Sequence, residues 1–354
     1  MTHDVVIIGA GQAGLATAYY LRSHDLDVVL IDASPQPGGS WPFTWESLRL
    51  FSPWHISSLP GWRLPATADY YPTPGEIINY FTAYEQRYGF LVMRGYRVTE
   101  VSGHSPFQLT LSSGEQLSAR VVINCTGNAS RPFVPYVPGA RDFSGTMLHS
   151  RDYRTAQAFS NRRVAVVGGG NSGAQIAADL AGVARHVTWC TLRPPRFLPD
   201  DYDGEALFNV AKQRLAAIER GETDDGGLRA LGDIVAVPPV RTARDAGILR
   251  SHPMFDRFGS SEIHWANGSS QLIDAVIWCT GFRPALQHLA HVPLQRDQQH
   301  HILVQNTQAI GVPGMFFVGY GDWVGPAADT IIGVVPFAKI AAQAAALFLS
   351  NPDS

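Results

Sequence analysis

The sequence of 354 residues predicts an α/β protein made of two similar halves, each built on a parallel sheet that opens with a βαβ unit. The apolar run 5–8 ends in glycine, a helical pattern follows to Leu21, and a second apolar run covers 28–31. The same order returns with a strand at 164–167, a helix over 171–180 and a strand at 187–190. This internal duplication predicts the architecture.

A second duplication marks the end of each half. The stretches 121–127 and 275–281 are near copies, VVINCTG and AVIWCTG. Antiparallel strands are expected before each copy, over roughly 96–119 and 262–273, where Asn267-Gly268 is a hairpin signal. We therefore expect antiparallel β insertions in both halves.

Three segments depart from a minimal repeat. Residues 42–74 are rich in Trp, Pro and Ser and predict a long ordered loop. Residues 194–260 predict an insertion with a helix near 205–220 and a Gly/Asp turn at 221–227, and an apolar helix is expected over 330–350. The loop and the insertion are either roofs over a pocket or surface elaborations, and the sequence leaves both open.

Composition narrows the class of protein. Hydrophobic residues make up 45% and charged residues 16% of the chain, which argues against disorder. The net charge of −3 and the lack of a basic stripe argue against a nucleic-acid partner. No apolar stretch reaches the roughly 18 residues of a membrane span, and the first strand begins by Asp4, too early for a signal peptide. We expect a cytoplasmic protein without a membrane partner, with a homodimer left open.

The three cysteines, Cys125, Cys190 and Cys279, exclude several classes of site. They are too far apart in sequence for a C-x-x-C pair and too few for a disulfide framework or a four-cysteine zinc site. We expect a reducing compartment and no metal.

The first glycine motif, Gly9-Ala10-Gly11-Gln12-Ala13-Gly14, lies between a predicted strand and a predicted helix. Gly9 permits a tight turn, Gly11 lets backbone N–H groups approach a pyrophosphate, and Gly14 allows close helix packing. Asp32 ends the next strand, where a carboxylate accepts hydrogen bonds from a ribose diol. The motif predicts a dinucleotide site.

The second motif, Gly168-Gly169-Gly170-Asn171-Ser172-Gly173, repeats this context without the acid. Its candidate binding residues are Gly168, Gly170, Ser172 and Gly173. Its second strand ends near Arg193 and Arg196, and an arginine there pairs with the 2′-phosphate of NADP. Either arginine is otherwise a solvated surface residue. Two Rossmann-like dinucleotide-binding domains, one for a flavin and one for NADPH, are the prediction, with NADH left open as a second coenzyme.

Further glycine motifs are consistent with a flavin-binding site in the first unit. Gly39 and Trp41 follow the ribose acid, and Thr126 and Gly127 end the first near copy. Gly321 and Asp322 end a short apolar strand before the last predicted helix. Asp322 is a candidate acceptor for a ribityl hydroxyl, with a helix or turn cap as its alternative role.

The stretch 143–153, FSGTMLHSRDY, matches the pattern F-x-G-x-x-x-H-x-x-x-Y. With the two glycine motifs on either side of it, the chain resembles the flavin-containing monooxygenases among the flavoproteins with two dinucleotide-binding domains. The resemblance covers nearly the whole chain, and the length is similar to that of the compact bacterial, class B-like members. His149 identifies the pattern, and we assign it no role as a catalytic acid or base.

The resemblance implies FAD on residues 1–154 and 282–354 and NAD(P)H on residues 155–281. It also implies hydride transfer to the flavin and addition of O₂ to give a C(4a)-hydroperoxyflavin. That species oxygenates a small organic substrate: a sulfide, an amine or, in relatives, a ketone. Phe51 takes the place of an asparagine found beside the flavin in many members, so Phe51 and Asn171 are the catalytic candidates.

Other functions remain open at this stage. A flavin disulfide reductase needs a redox-active cysteine pair, which the sequence lacks. An NAD(P)H-dependent flavin reductase or oxidase without oxygen insertion is opposed only by the pattern at 143–153. A flavin-binding redox sensor is the alternative from outside the enzymes.

Overall fold

The protein is described by a computed structural model that covers residues 2–202, 204–222 and 234–351. Its strands are β1 (Thr2–Ile8), β2 (Val28–Asp32), β3 (Val92–Arg94), β4 (Val98–Ser102), β5 (Phe107–Leu111), β6 (Gln116–Asn124), β7 (Thr146–His149), β8 (Arg163–Val167), β9 (His186–Thr191), β10 (Ser251–Pro253), β11 (Arg257–Phe258), β12 (Glu262–His264), β13 (Ser270–Leu272), β14 (Ala275–Trp278), β15 (Val304–Gln305), β16 (Gln308–Ala309) and β17 (Met315–Phe317). Its α-helices are α1 (Gln12–Leu21), α2 (Pro74–Tyr88), α3 (Asn171–Leu180), α4 (Gly204–Glu219), α5 (Pro238–Asp245) and α6 (Val334–Ser350).

The strands form two parallel sheets with antiparallel additions, which confirms the predicted fold class. The first sheet runs β15-β16-β17-β6-β1-β2-β3, and the strands from β17 to β3 are parallel. Strand β5 pairs antiparallel with β6, and β4 pairs antiparallel with β5. The second sheet runs β10-β9-β8-β14-β7, and every pair in it is parallel. The antiparallel strands β11, β12 and β13 form a separate small sheet.

Strand β7 falls before the domain boundary expected at residue 155. It nevertheless pairs with β14, with Thr146 opposite Ala275 and His149 opposite Trp278. The second sheet therefore includes residues that the sequence assigned to the first unit, and the proposed boundary moves to the segment before β7.

Helix α2 was not expected from the sequence, although its start carries a clear signal. The Thr73 hydroxyl accepts a hydrogen bond from the Glu76 N–H, and the Glu76 carboxylate accepts one from the Thr73 N–H. Gly89 ends the helix with φ +63°. Helix α6 begins at Val334 instead of near residue 330, because the Thr330 hydroxyl accepts the Gly333 N–H in a turn.

Each half contains the same close passage of backbone past backbone. Gly9 has φ +105° and Gly168 has φ +138°, and a Cβ on either glycine would overlap the carbonyl oxygen of Cys125 or Cys279 respectively. The near copies at 121–127 and 275–281 thus contain strands β6 and β14, the parallel neighbours of β1 and β8, and their carboxyl ends contact the two glycine loops. This contact explains why the two duplications occur together.

The loop 42–74 lies between the two halves. Leu50 belongs to the first core, which packs α1, α2 and α6 on the first sheet, whereas Trp45 belongs to the second core, which packs α3 on the second sheet. Backbone hydrogen bonds join residues 46–51, named here the connecting segment, to the second half at two points: Glu46 N–H to the Arg154 carbonyl (3.0 Å), and Gly204 N–H to the Phe51 carbonyl (2.8 Å). The loop therefore connects the halves.

The insertion after residue 194 contributes a second connection. In α4, Leu207 packs against the second core and Leu215 against the first core. The turn expected at 221–227 lies in part outside the described residues, because 223–233 are not among them. No helix in the described part of the chain is long and apolar enough to cross a bilayer.

The close packing at the two glycine loops predicts that a larger residue there lowers the unfolding free energy. Replacing Gly14 with alanine would drive the new Cβ into the Gly9 carbonyl, and Gly173→Ala would do the same at Gly168. We expect each variant to lose about 1–3 kcal/mol of unfolding free energy in denaturant titrations of the cofactor-free protein.

The control is Gly75→Ala in α2, where the nearest atom to a new Cβ is the Thr73 hydroxyl oxygen at 4.0 Å. Because alanine is the better helix former, this variant keeps or slightly raises the unfolding free energy. Equal stability of all three variants would show that the glycine loops are not closely packed.

Candidate functional site

A cavity of about 680 Å³ opens at the carboxyl ends of β1, β2 and β6. This volume lies within the range of small-molecule and cofactor pockets, about 300–1,000 Å³. The cavity brings together seven residues that the sequence predicted for the flavin: Gly9, Gly11, Asp32, Gly39, Trp41, Thr126 and Gly127. Gly14 lies one turn farther along α1, where it packs against Gly9.

Asp32 is held in a fixed orientation at the end of β2. One carboxylate oxygen accepts the Ala10 N–H at 2.6 Å and the other accepts the Ser34 N–H at 2.7 Å. The side chain lines the cavity and its residue is 8% exposed. A carboxylate has about four acceptor positions, so two remain for the hydroxyls of a ribose.

The start of α1 is arranged for an anion. Its N-cap, Gly11, makes no side-chain capping bond, and its first turn carries no acidic residue. A Cβ on Gly39, where φ is +58°, would stand 2.7 Å from the Gly11 Cα. The two backbones form a cradle with bare N–H groups, and a pyrophosphate fits that cradle.

Trp41 supplies a donor that the protein itself does not use. Its indole Nε1 is buried and has no hydrogen-bond partner among residues 2–202, 204–222 and 234–351, while the residue lines the cavity. Buried indole N–H groups ordinarily find an acceptor. Together with the cradle and Asp32, this orphaned donor fits FAD, which the pocket would hold along these residues.

Gly321 and Asp322 are not among the residues that line the cavity. The Asp322 carboxylate is exposed and lies 3.9 Å from the Arg214 guanidinium. Gly319 and Asp329 line the cavity instead, because the chain passes close to α1 directly after β17: a Cβ on Gly319 would lie 2.7 Å from the Ala13 Cβ. The structure thus does not bring the predicted ribityl acceptor to the site.

Several charged or titratable side chains of the cavity were missed by sequence reasoning, among them Arg131, Arg151 and His288. The Arg151 guanidinium lies over the Phe43 ring at 4.6 Å, and its Nε donates to the Ala129 carbonyl at 2.8 Å. His288 is bound to the Asn124 amide oxygen at 2.9 Å, and burial lowers its pKa to about 4, so the ring is neutral at pH 7. Arg151 lies inside the recognised pattern at 143–153, whereas nothing around His288 signalled a role.

The second glycine loop has the same build as the first. Gly170 caps α3 without a side-chain bond, and no acidic residue occupies the first turn of the helix, which contains Ser172 and Gly173. A Cβ on Gly169 would contact the Thr191 methyl at 3.4 Å and the Arg193 carbonyl at 3.9 Å, so Arg193 lies beside the loop.

Arg193 is exposed and makes no hydrogen bond or ion pair with any described residue. Arg196 is also exposed, and its carbonyl accepts the Ile234 N–H at 3.1 Å. The backbone of Arg193 lies beside the loop, and the assignment of Arg193 or Arg196 to a 2′-phosphate stays a prediction.

The two catalytic candidates lie outside the lining of the cavity. Phe51 is half-buried against the second core. The Asn171 amide oxygen accepts the Val235 N–H at 2.9 Å and so fixes the insertion over the start of α3. Their catalytic roles stay predictions.

The recognised pattern at 143–153 now has a physical explanation. Phe143 packs on Phe258 with ring centroids 5.1 Å apart, and a Cβ on Gly145 would lie 2.7 Å from the Asp274 carbonyl. The Tyr153 hydroxyl donates to Asp179 at 2.6 Å. Each of these residues anchors the stretch to the second half.

His149 of the same pattern ties β7 to the end of the second near copy. Its Nδ1 accepts the Arg151 N–H at 3.1 Å, so the proton is on Nε2, which donates to the Gly281 carbonyl at 3.0 Å. Burial is the largest influence on this ring and lowers its pKa. The histidine is therefore a neutral structural residue, in agreement with its use for recognition alone.

The three thiols do not form a relay. Cys125 and Cys190 are buried and Cys279 is partly buried, and all three are free. Burial raises the pKa of each thiol, that of Cys190 to about 12, which removes thiolate character at pH 7. Electrons from a nicotinamide have no disulfide to reduce here.

A glycine loop with a carboxylate and a second loop with a neighbouring arginine are typical of a flavoprotein oxidoreductase with two dinucleotide-binding units. The chain belongs to the pyridine nucleotide-disulphide oxidoreductase family, whose model matches residues 6–225, and within it to the flavin-containing monooxygenases.

The relatives agree with this assignment. The flavin-containing monooxygenase from Stenotrophomonas maltophilia is 42% identical, with 98% of this chain and 99% of that chain covered and a TM-score of 0.87. An uncharacterized CzcO-like oxidoreductase of Geobacillus kaustophilus is 28% identical over 336 residues, 94% of each protein. A bacillithiol disulfide reductase from Staphylococcus aureus shares the fold, with a TM-score of 0.74. It is 16% identical, and the alignment covers 97% of this chain and 98% of that chain. The protein is an FAD- and NADPH-dependent monooxygenase that uses O₂.

The cradle predicts that Gly11 is needed for FAD and not for folding. A Cβ on Gly11 meets only the Gly39 Cα at 3.5 Å, an ordinary contact, so the protein itself accommodates alanine. We expect Gly11→Ala to purify with little bound FAD while the unfolding free energy of the cofactor-free protein stays unchanged. Flavin absorbance per protein measures the first quantity, and full FAD occupancy in this variant would contradict the assignment.

Proposed function

We propose that this monooxygenase oxygenates soft nucleophiles, with sulfides and amines as the first substrate class and ketones as an extension. When bound, the flavin supplies the chemistry: it accepts a hydride from NADPH and carries oxygen as the C(4a)-hydroperoxyflavin that the resemblance implies. The observation that carries the proposal is the combination of two dinucleotide loops with buried, unpaired thiols. That combination leaves O₂ as the acceptor for the electrons.

The residues of the chain divide the work. The start of α1 binds the pyrophosphate of FAD, and Asp32 accepts hydrogen bonds from its ribose. The Trp41 indole N–H donates a hydrogen bond to an acceptor atom of the cofactor. The second glycine loop binds NADPH at the start of α3. We assign FAD to the first sheet with α6, and the nicotinamide to the second sheet from β7 onward.

Phe51 stands where the resemblance places an amide beside the flavin in many members, and its ring packs against the second core. Phe51 offers no hydrogen bond to an oxygenated flavin, so retention of oxygen depends on the dry surroundings and the bound nicotinamide. We therefore expect appreciable hydrogen peroxide release beside product formation.

Phe51 also favours one second candidate. A side chain without a donor is compatible with an NAD(P)H oxidase that releases all of its oxygen as peroxide. The two candidates differ in the fate of the oxygen atoms.

Labelled oxygen separates these functions. The enzyme, NADPH and a methyl aryl sulfide are incubated under ¹⁸O₂, and the sulfoxide is analysed by mass spectrometry. The proposal predicts label in the sulfoxide, with NADPH consumption exceeding product because of peroxide release. NADPH consumption that yields only peroxide across sulfides, amines and ketones would establish the oxidase instead.

The arginine beside the second loop predicts coenzyme selectivity. If Arg193 pairs with the 2′-phosphate, Arg193→Ala raises the KM for NADPH and leaves that for NADH nearly unchanged. A lost charge-assisted hydrogen bond corresponds to about 1.5–3 kcal/mol of selectivity. Arg196→Ala is the matched comparison, and the same loss with both coenzymes in the Arg193 variant would assign that arginine another role.

A further inference from the structure

One buried side chain of α3 binds the backbone of the other half. Gln175 is 8% exposed. Its amide oxygen accepts the Arg49 N–H at 3.4 Å, and its amide nitrogen donates to the Arg49 carbonyl at 3.3 Å. Both ends of the amide are thus used on a single residue that lies 126 positions away in sequence.

Arg49 lies in the middle of the connecting segment, residues 46–51. Leu48 on one side packs against the second core, whereas Leu50 on the other side belongs to the first core. The Gln175 pair lies between the two backbone ties of this segment, at Glu46 and Phe51. The pair is therefore a polar side-chain contact that, beside the packing of Leu48, holds the middle of the segment against the second half.

The position of Gln175 on its helix relates this contact to the chemistry. It is one turn after Asn171, where α3 begins at the second glycine loop, so a rigid helix joins the NADPH site to Arg49. On the other side, Trp41 and Phe43 line the flavin cavity a few residues before the connecting segment. A shift of α3 relative to this segment changes the distance between the two cofactor sites.

We propose that Gln175 is a positioning residue that sets the approach of the nicotinamide-binding half to the flavin-binding half for hydride transfer. The residue touches neither cofactor site and acts through the backbone of Arg49. The inference rests on reduction of the flavin by NADPH and is independent of the substrate that is oxygenated. Failure of oxygen insertion would leave it testable.

The test is the limiting rate of flavin reduction in Gln175→Leu, which keeps the bulk and removes both hydrogen bonds. Rates are measured by stopped-flow mixing of the FAD-loaded enzyme with NADPH without oxygen. Because hydride transfer is sensitive to misplacement on the scale of 1 Å, we expect a fall of about 10-fold to 100-fold, with an unchanged dissociation constant for NADPH.

Gln271→Leu is the matched control. The Gln271 amide donates to the Thr188 hydroxyl at 2.6 Å, and both residues lie in the second half. This variant loses a glutamine hydrogen bond without touching the connecting segment, so its rate of flavin reduction stays at the wild-type value. An equal fall in both variants, or a wild-type rate in Gln175→Leu, would overturn the proposal.

A second readout does not depend on turnover. Amide hydrogen exchange in a peptide covering residues 46–51 of the FAD-loaded protein is expected to accelerate in Gln175→Leu and to remain unchanged in Gln271→Leu. If the leucine variant folds poorly, Gln175→Met keeps an unbranched side chain and is expected to show the same two effects. Wild-type exchange together with slow reduction would assign Gln175 a role other than positioning this segment.

Discussion

The structure depends on one steric constraint that occurs twice: a glycine loop packs against the carboxyl end of the neighbouring parallel strand. At Gly9 and at Gly168 the space for a Cβ is already taken by the carbonyl of a cysteine, Cys125 or Cys279. The contact holds the loop close to the sheet, and the starts of α1 and α3 have no side-chain cap. An anion can therefore bind at both helix starts, and the repeated sequence stretches supply the backbone on which both loops pack.

The two copies differ where they meet a nucleotide. In the first half the Ala10 N–H is bound by Asp32 at the end of β2. In the second half Gly169 occupies the corresponding place in its motif, and its neighbour is Thr191 at the end of β9. A carboxylate is thus replaced by a neutral residue with Arg193 close by, and this change of charge suits one site to a ribose diol and the other to a phosphate.

Local signals made much of the fold and site predictable. The βαβ units and the near copies identified both sheets, and the glycine motifs identified residues of the cavity. These signals are readable because each depends on the backbone conformation of a few consecutive residues, which the residue types reveal. Asp322 shows the limit: two glycines, Gly319 and Gly321, precede it, and only the packing of Gly319 on Ala13 decides which one faces the cavity. Sequence spacing alone cannot make that choice.

Contacts between segments that are distant in sequence could not be predicted, because they depend on how the folded elements pack. The pattern at 143–153 was recognised without an explanation, since the partner of His149 is Gly281, far away in sequence. His288 reaches the cavity from a segment without a motif, and Arg151 does so from a variable position of the pattern at 143–153. The pairing of Gln175 with Arg49 likewise depends on how the two halves meet.

The proposed function requires electrons to pass directly from a nicotinamide on the second half to a flavin on the first, without a thiol between them. The decisive measurement is anaerobic reduction of the bound FAD by NADPH that carries deuterium at the transferred position. Direct transfer predicts full flavin bleaching with a primary kinetic isotope effect, and the same effect after alkylation of any accessible thiols. Absence of bleaching, or bleaching that requires free thiols, would contradict it.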